Sequence, residues 1–293
     1  PQSFTRDRLI GYGSFYDSLD PEDSPSRSLS NTSAPGYADF HRSESPLLWA
    51  MLNGGYNVVV ADVQGQTANL GVGTEYGWNT LFALRAVAKA SGITNTAPGA
   101  KIGLLGYSGG GIATAWAGAL AREYAPDVAD RLVGVAAGAP IISPAHTFPY
   151  IDGTRAWGPL IPMLLEGFSR ATKAYASRFD FTQYLTAEGK RIVAEVADDS
   201  LKEVFREGRY RGLTWRSIAD PRYPTPESVP AYRELVNILS LGAYSAPSYG
   251  TRSGRVPVHL GVGTVSAADN RPNTPGTGDG VMLTGDTRAL ANK

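Results

Sequence analysis

Five short apolar runs recur along the first half of the chain and once more near its end. They are Arg8-Leu-Ile-Gly-Tyr-Gly13, Asn57-Val-Val-Val-Ala-Asp62, Lys101–Tyr107, Leu132–Ala137 and Val256-Pro-Val-His-Leu-Gly-Val262. The run at 57–62 is continuous and β-branched, as expected of a parallel strand buried on both faces. Helical spacing lies between several of these runs. Pro46 opens a short helix carrying Leu47, Leu48, Met51 and Leu52, which Gly54-Gly55 stops. Residues 74–90 place Leu81, Leu84, Val87 and Ala88 on one face, and Gly109–Tyr124 forms a helix ended by Ala125-Pro126. A strand, helix, strand rhythm of this kind predicts a doubly wound, mostly parallel sheet.

From Ile141 to about Tyr249 the rhythm stops. Helical pieces broken by proline take its place, such as Gly158-Pro-Leu-Ile-Pro-Met-Leu-Leu165. Ser200-Leu-Lys-Glu203 reads as a capping box, and Ser228–Leu241 as a further helix. The chain thus divides into a core at 1–140 and 251–293 and a helical cap or lid inserted at 141–250. Residues 14–45 are rich in Ser, Pro, Asp and Asn and are expected to form one long polar loop.

Composition narrows the function. The 293 residues carry 27 Lys+Arg against 27 Asp+Glu, so the formal net charge is zero and nothing favours nucleic acid or an anionic membrane surface. Cysteine is absent, which excludes thiol catalysis, Cys-ligated metals and disulfides. No apolar run approaches the ~20 residues of a transmembrane helix. The chain begins at Pro1 with no signal-like stretch, as expected of a processed or trimmed chain.

The strand at 101–107 runs straight into Gly106-Tyr-Ser-Gly-Gly110 and then into a helix of small residues. Gly-x-Ser-x-Gly between a strand and a helix is a nucleophile elbow. The turn holds Ser108 in strained geometry and aims its hydroxyl above the sheet at a helix N-terminus, where developing negative charge is favoured. The backbone N–H of Gly109, the residue after the nucleophile, is the oxyanion donor that such an elbow supplies. The alternative is a glycine-rich turn capped by a serine.

Asp62-Val-Gln-Gly65, Gly106-Tyr-Ser-Gly-Gly-Gly111, Ala115-Trp-Ala117, Glu123-Tyr-Ala-Pro-Asp127 and Val135-Ala-Ala-Gly-Ala-Pro140 together resemble the secretory lipases. These are exported α/β-hydrolase lipases of fungi and actinobacteria. Gly278-Asp-Gly-Val-Met282 with Thr287-Arg-Ala-Leu-Ala291 is similar to the family segment that carries the acidic triad member. The resemblance covers residues 57–140 and 256–293. It implies an α/β-hydrolase fold, a secreted or cell-envelope location, and Asp279 as the catalytic acid. Asp269 is the alternative acid, and an Asx turn is the structural alternative for Asp279. It also implies the N–H of Asp62 as second oxyanion donor, where a helix-capping or salt-bridging aspartate is the other reading.

The family carries two more strands before residues 8–13, and a final strand and the catalytic His beyond the position of residue 293. By that measure the chain lacks the first strands and the last strand. It resembles the central piece of a larger protein, whose further polypeptide completes the sheet and supplies the histidine. Its own three histidines suit the role poorly. His259 is expected to pack within the last strand, His146 to sit at the entrance to the cap, and His41 to be solvated. Trp157, Leu160, Ile161, Met163, Leu164 and Phe168 are candidates for an acyl pocket, or ordinary cap core.

The expected activity is carboxylic ester hydrolysis through an acyl-enzyme on Ser108, with a lipid or small ester as partner and no metal or organic cofactor. An acyltransferase or peptidase using the same triad, and a non-catalytic hydrolase-like binding module, are the competing readings.

Overall fold

The computed structural model describes residues 7–89, 99–171, 179–241, 256–263 and 281–292. All five predicted strands form: β1 (Arg8–Gly13), β2 (Asn57–Val60), β3 (Lys101–Tyr107), β4 (Leu132–Gly138) and β5 (Val258–Gly261). They build one parallel sheet in the order β2-β1-β3-β4-β5. Chain order reverses beside β1, and parallel sheets of this kind gather ligands at the carboxyl ends of strands where the order switches.

Residues 14–45 differ from the expected loop. A 3₁₀ turn at Pro21–Asp23 leads into two short helices, α1 (Pro25–Ser30) and α2 (Tyr37–Ser43), before α3 (Ser45–Asn53). Pro21 and Pro25, which suggest loop, instead occupy first-turn positions, where the missing N–H costs nothing. Phe40 of α2 and Leu48 and Met51 of α3 pack on Tyr12 of β1, with Ile10, Val58 and Val60 at the margin.

The opposite face of the sheet carries α4 (Gly73–Lys89) and α5 (Gly109–Tyr124), packed on Leu9, Ile102, Leu104 and Val135. Alternation along β3 follows from the pleat: Ile102 and Leu104 are buried on this face, while Leu105 and Tyr107 point the other way and are exposed. After α5, the one-turn α6 (Pro126–Ala129) leads to β4.

The predicted helical region contains α7 (Pro144–Ile151), α8 (Leu160–Ala171), α9 (Ala187–Glu195), α10 (Leu201–Glu207), α11 (Trp215–Ile218) and α12 (Tyr232–Leu239). The capping box at Ser200 is present: its hydroxyl accepts from the Glu203 N–H, and the Glu203 carboxylate accepts from the Ser200 N–H. The helix expected at 228–241 starts later, at Tyr232, because Pro226–Ser228 closes a separate 3₁₀ turn and Pro230 intervenes. Phe148, Ile161, Met163, Phe168 and Trp215 form the centre of a second apolar cluster, which also takes in Leu19, Leu70, Val72, Val281 and Met282 from loops of the sheet region. The helix α13 (Thr284–Ala291) follows β5, as expected.

Candidate active site

The elbow forms where the sequence placed it, between β3 and α5. Ser108 has φ 54° and ψ −122°, a left-handed backbone that a side-chain-bearing residue rarely adopts. Backbone bonds on both sides hold it there. Its N–H donates to the Gly138 carbonyl at 2.9 Å, and its carbonyl accepts from the Ile112 N–H at 2.9 Å. Glycine is required around it because three backbones meet. A Cβ on Gly106 would lie 2.1 Å from the Gly110 carbonyl oxygen, and one on Gly110 would lie 1.9 Å from the Gly13 carbonyl oxygen. Helix α5 can therefore seat its N-terminus directly over β1 and β3.

Ser108 opens into a cavity of about 40 Å³ whose lining includes Gly109, Leu70, Tyr76, Ile112, Trp157, Leu160, Leu164, Val281 and Met282. Three of the six acyl-pocket candidates are here. Ile161, Met163 and Phe168 are instead buried in the helical cluster.

Asp17 also lines this cavity. Its carboxylate accepts a hydrogen bond from the Gly109 N–H, the donor that the elbow offers to an oxyanion. Burial pushes the Asp17 carboxyl up to about 7, the charge of Glu44 pushes the same way, and the Gly109 N–H opposes both. Its backbone is left-handed at φ 40°. Neighbouring Ser18 is clamped by Gln64, which accepts from the Ser18 N–H at 3.3 Å and donates to the Ser18 carbonyl at 2.9 Å. Burial also raises Tyr76 well above the ordinary phenol range, with the negative charge of Asp17 adding to it.

Asp62 is not among the residues that line the cavity at Ser108. Its carboxylate accepts from the Ser26 N–H at 2.8 Å and the Ser26 hydroxyl at 2.6 Å, and so holds the start of α1. Among the described residues, the acidic residue beside the elbow is Asp17. Sequence patterning passes over it, because 14–45 reads as one polar loop. The available signal was position: Asp17 follows β1, which neighbours β3, and loops at the carboxyl ends of adjacent strands converge. Asp269 and Asp279 lie outside the described residues.

None of the three histidines lines the Ser108 cavity. His146 is exposed on α7, and its Nδ1 lies 2.7 Å from the Asp286 carboxylate of α13. His41 is half-buried rather than solvated, its ring tilted against Tyr37 with centroids 4.1 Å apart and its Nδ1 2.8 Å from the Ser45 hydroxyl. His259 is exposed on β5, not packed in the core, because the pleat turns it to the face that carries Leu105 and Val133.

The chain matches the family model described as secretory lipase over residues 40–214, more than half its length. It is 34% identical to Lipase 1 of Candida albicans over 169 residues, which is 58% of this chain and 36% of that protein. It is also 34% identical to the trichothecene C-3 esterase of Fusarium sporotrichioides over 199 residues, covering 64% of this chain and 42% of that one. The chain therefore matches about two-fifths of the length of these curated relatives. Among solved structures, Candida antarctica lipase A in its closed state superposes with a TM-score of 0.70 at 24% identity, covering 89% of this chain and 58% of that one. The fold is that of the α/β-hydrolases. With a five-stranded parallel sheet, a strained serine between strand and helix, and these likenesses, the chain belongs to the secretory lipase family.

Proposed function

We propose that this protein hydrolyses carboxylic esters through an acyl-enzyme on Ser108. The observation that carries the reading is Ser108 at φ 54° with the Gly109 N–H beside it in a largely apolar cavity. The hydroxyl oxygen attacks the ester carbonyl, the alcohol departs with a proton, and water then releases the acid. The Gly109 N–H stabilises the oxyanion. Asp17, whose carboxyl titrates near neutrality, supplies a second donor when protonated. The curated relatives named as lipases and as an esterase support the same class of chemistry.

The reaction needs a base. Since all three histidines sit outside the Ser108 cavity, we assign the base to a histidine on polypeptide beyond these 293 residues, oriented by Asp279. That the matched relatives are much longer than the matched region supports this assignment. Residues 141–250 act as the cap over the acyl site. The family's secretory character supports export, and no described helix is long and apolar enough to cross a membrane.

Ser108→Ala should lower kcat on a p-nitrophenyl ester by on the order of 10⁶-fold and leave the thermal midpoint within a few degrees. Hydrolysis by this variant at the original rate would remove Ser108 from the mechanism.

A further inference from the structure

The backbone polar groups from the Asp17 carbonyl to the Leu19 carbonyl are all bonded to distant parts of the chain. Gln64 takes the N–H and the carbonyl of Ser18, as described above. The Asp17 carbonyl accepts from the Leu201 N–H at 2.9 Å, and the Leu19 N–H donates to the Asp199 carbonyl at 2.9 Å. Ser18 and Ser200 thereby form an antiparallel bridge. The Leu19 carbonyl accepts from the guanidinium of Arg170, near the end of α8. Apart from Gln64, these partners lie in the helical region, although Asp17 itself belongs to a loop of the sheet.

Arg170 does more than close that series. Its Nη1 also donates to the Thr67 carbonyl at 2.9 Å, and its Nη2 donates to the Ala197 carbonyl. Glu166, one turn earlier on α8, accepts from Nε at 2.9 Å and fixes the plane of the fork. One guanidinium thus joins the loop after β1, the loop after β2 and the segment that leads into α10. The same helix meets the Ser108 cavity through Leu160 and Leu164. A Cβ on Gly167 would lie 2.2 Å from the Leu70 carbonyl oxygen, so α8 is seated tightly on the loop after β2.

Resting on the esterase reading above, in which Asp17 supplies the second oxyanion donor, we propose that Arg170 is a positioning residue for the oxyanion site. It is not among the residues that line the Ser108 cavity, and it acts through Asp17. By holding the Leu19 carbonyl it keeps Asp17 at a left-handed φ of 40°, with its carboxyl against the Gly109 N–H. A backbone of that kind at a residue other than glycine persists only where its surroundings over-determine it. Without the guanidinium the part-buried Leu19 and Ala197 carbonyls lose their donor, the segment relaxes, and the Asp17 carboxyl leaves the elbow. Lysine is a poor substitute, since one ammonium lacks the planar fork that reaches all of these segments.

The test is a double-mutant cycle on the complete protein with p-nitrophenyl butyrate. A fluorophosphonate first labels Ser108, read as a mass increase on its peptide; an unlabelled Ser108 would overturn the esterase reading itself. With labelling established, Asp17→Ala should lower kcat about tenfold or more, as loss of an oxyanion donor does. Arg170→Met should lower kcat by a similar factor and leave KM within about twofold. In the Asp17→Ala background the same change should lower kcat by less than about twofold, because the carboxyl it positions is gone. Arg170→Lys keeps the charge and most of the packing, and covers the case in which Arg170→Met does not fold. It should lower kcat about threefold or more, with the same cancellation beside Asp17→Ala. Equal losses with and without Asp17, a change confined to KM, or no loss from substituting Asp17 or Arg170 would overturn the proposal while leaving Ser108 as the nucleophile.

Discussion

The sheet around the elbow and the described helices within 141–241 differ in what dominates their packing. Around Ser108 the contacts are backbone against backbone. Gly13, Gly106 and Gly110 bring β1, β3 and α5 closer than any side chain permits, and Ala113, Ala115 and Ala117 continue α5 with small buried groups. In the helical region large side chains meet one another, Phe168 near Phe181 with ring centroids 6.3 Å apart and Phe148 near Trp215 at 6.4 Å, with Ile161 and Met163 fully buried, although Gly167 and Gly189 also lie close against backbone oxygens. One region is limited by the space it lacks and the other by the volume it must fill. The first arrangement holds Ser108 at a strained φ. The second builds a wall whose inner surface, Ile141, Trp157, Leu160, Leu164 and Leu201, reaches the cavity.

Substitutions that reverse these two modes should separate them. The largest effect is expected from Gly110→Val. Its Cβ would start 1.9 Å from a backbone oxygen of β1, and the elbow cannot shift away without leaving the sheet. Soluble expression should be lost, and a folded Gly110→Val variant with normal activity would show that the helix has room after all. Next is Phe168→Ala in the other region, where a buried ring leaves a hole rather than a clash. Its cost should be about 3–5 kcal/mol in denaturant unfolding. A value below about 1 kcal/mol would mean that the helical cluster collapses to fill space, contrary to the comparison.

Asp17 lies where the two regions meet, and its effect is expected to be smaller and of opposite sign. Its carboxyl titrates at about 7 in the folded protein, against an ordinary value near 3.8. The folded state therefore binds more protons between those two values, and stability falls as pH rises from about 4 through 7. Above pH 7 the full cost of the buried charge is present; below about pH 4 it vanishes. Asp17→Asn keeps an acceptor for the Gly109 N–H and removes the charge. It should raise the unfolding free energy at pH 8 by about 1–3 kcal/mol, with the gain shrinking to zero near pH 4. A gain independent of pH would mean that the charge is not its source.

The smallest effect should come from Ser200→Ala, which removes one capping bond of α10 in a region held mainly by apolar volume. About 1 kcal/mol is expected by thermal unfolding.

Much of the sheet was legible because its rules are local. β-branched and glycine-flanked runs marked every strand, and Gly-x-Ser-x-Gly identified the elbow from spacing alone. The N-terminal segment was not legible. Its prolines signal either loop or a helix's first turn, and only the packing of Phe40, Leu48 and Met51 on Tyr12 decides for helix. The same ambiguity hid Asp17. Nothing within Phe15-Tyr16-Asp17-Ser18 distinguishes it from Asp20, Asp23 or Asp39. It becomes the neighbour of Ser108 through the pairing of β1 with β3 and the clamp of Gln64 on Ser18.

By itself, then, the sequence determined the parallel sheet and the elbow that carries Ser108 and Gly109, because each depends on residues close together along the chain. It also determined that the middle of the chain is helical. Tertiary structure alone decided which of the described carboxylates stands at the elbow, that the Asp62 carboxylate holds the start of α1, and that His259 faces outward. Those outcomes depend on contacts tens of residues apart, where a pleat direction or one long-range hydrogen bond selects among residues of identical chemistry.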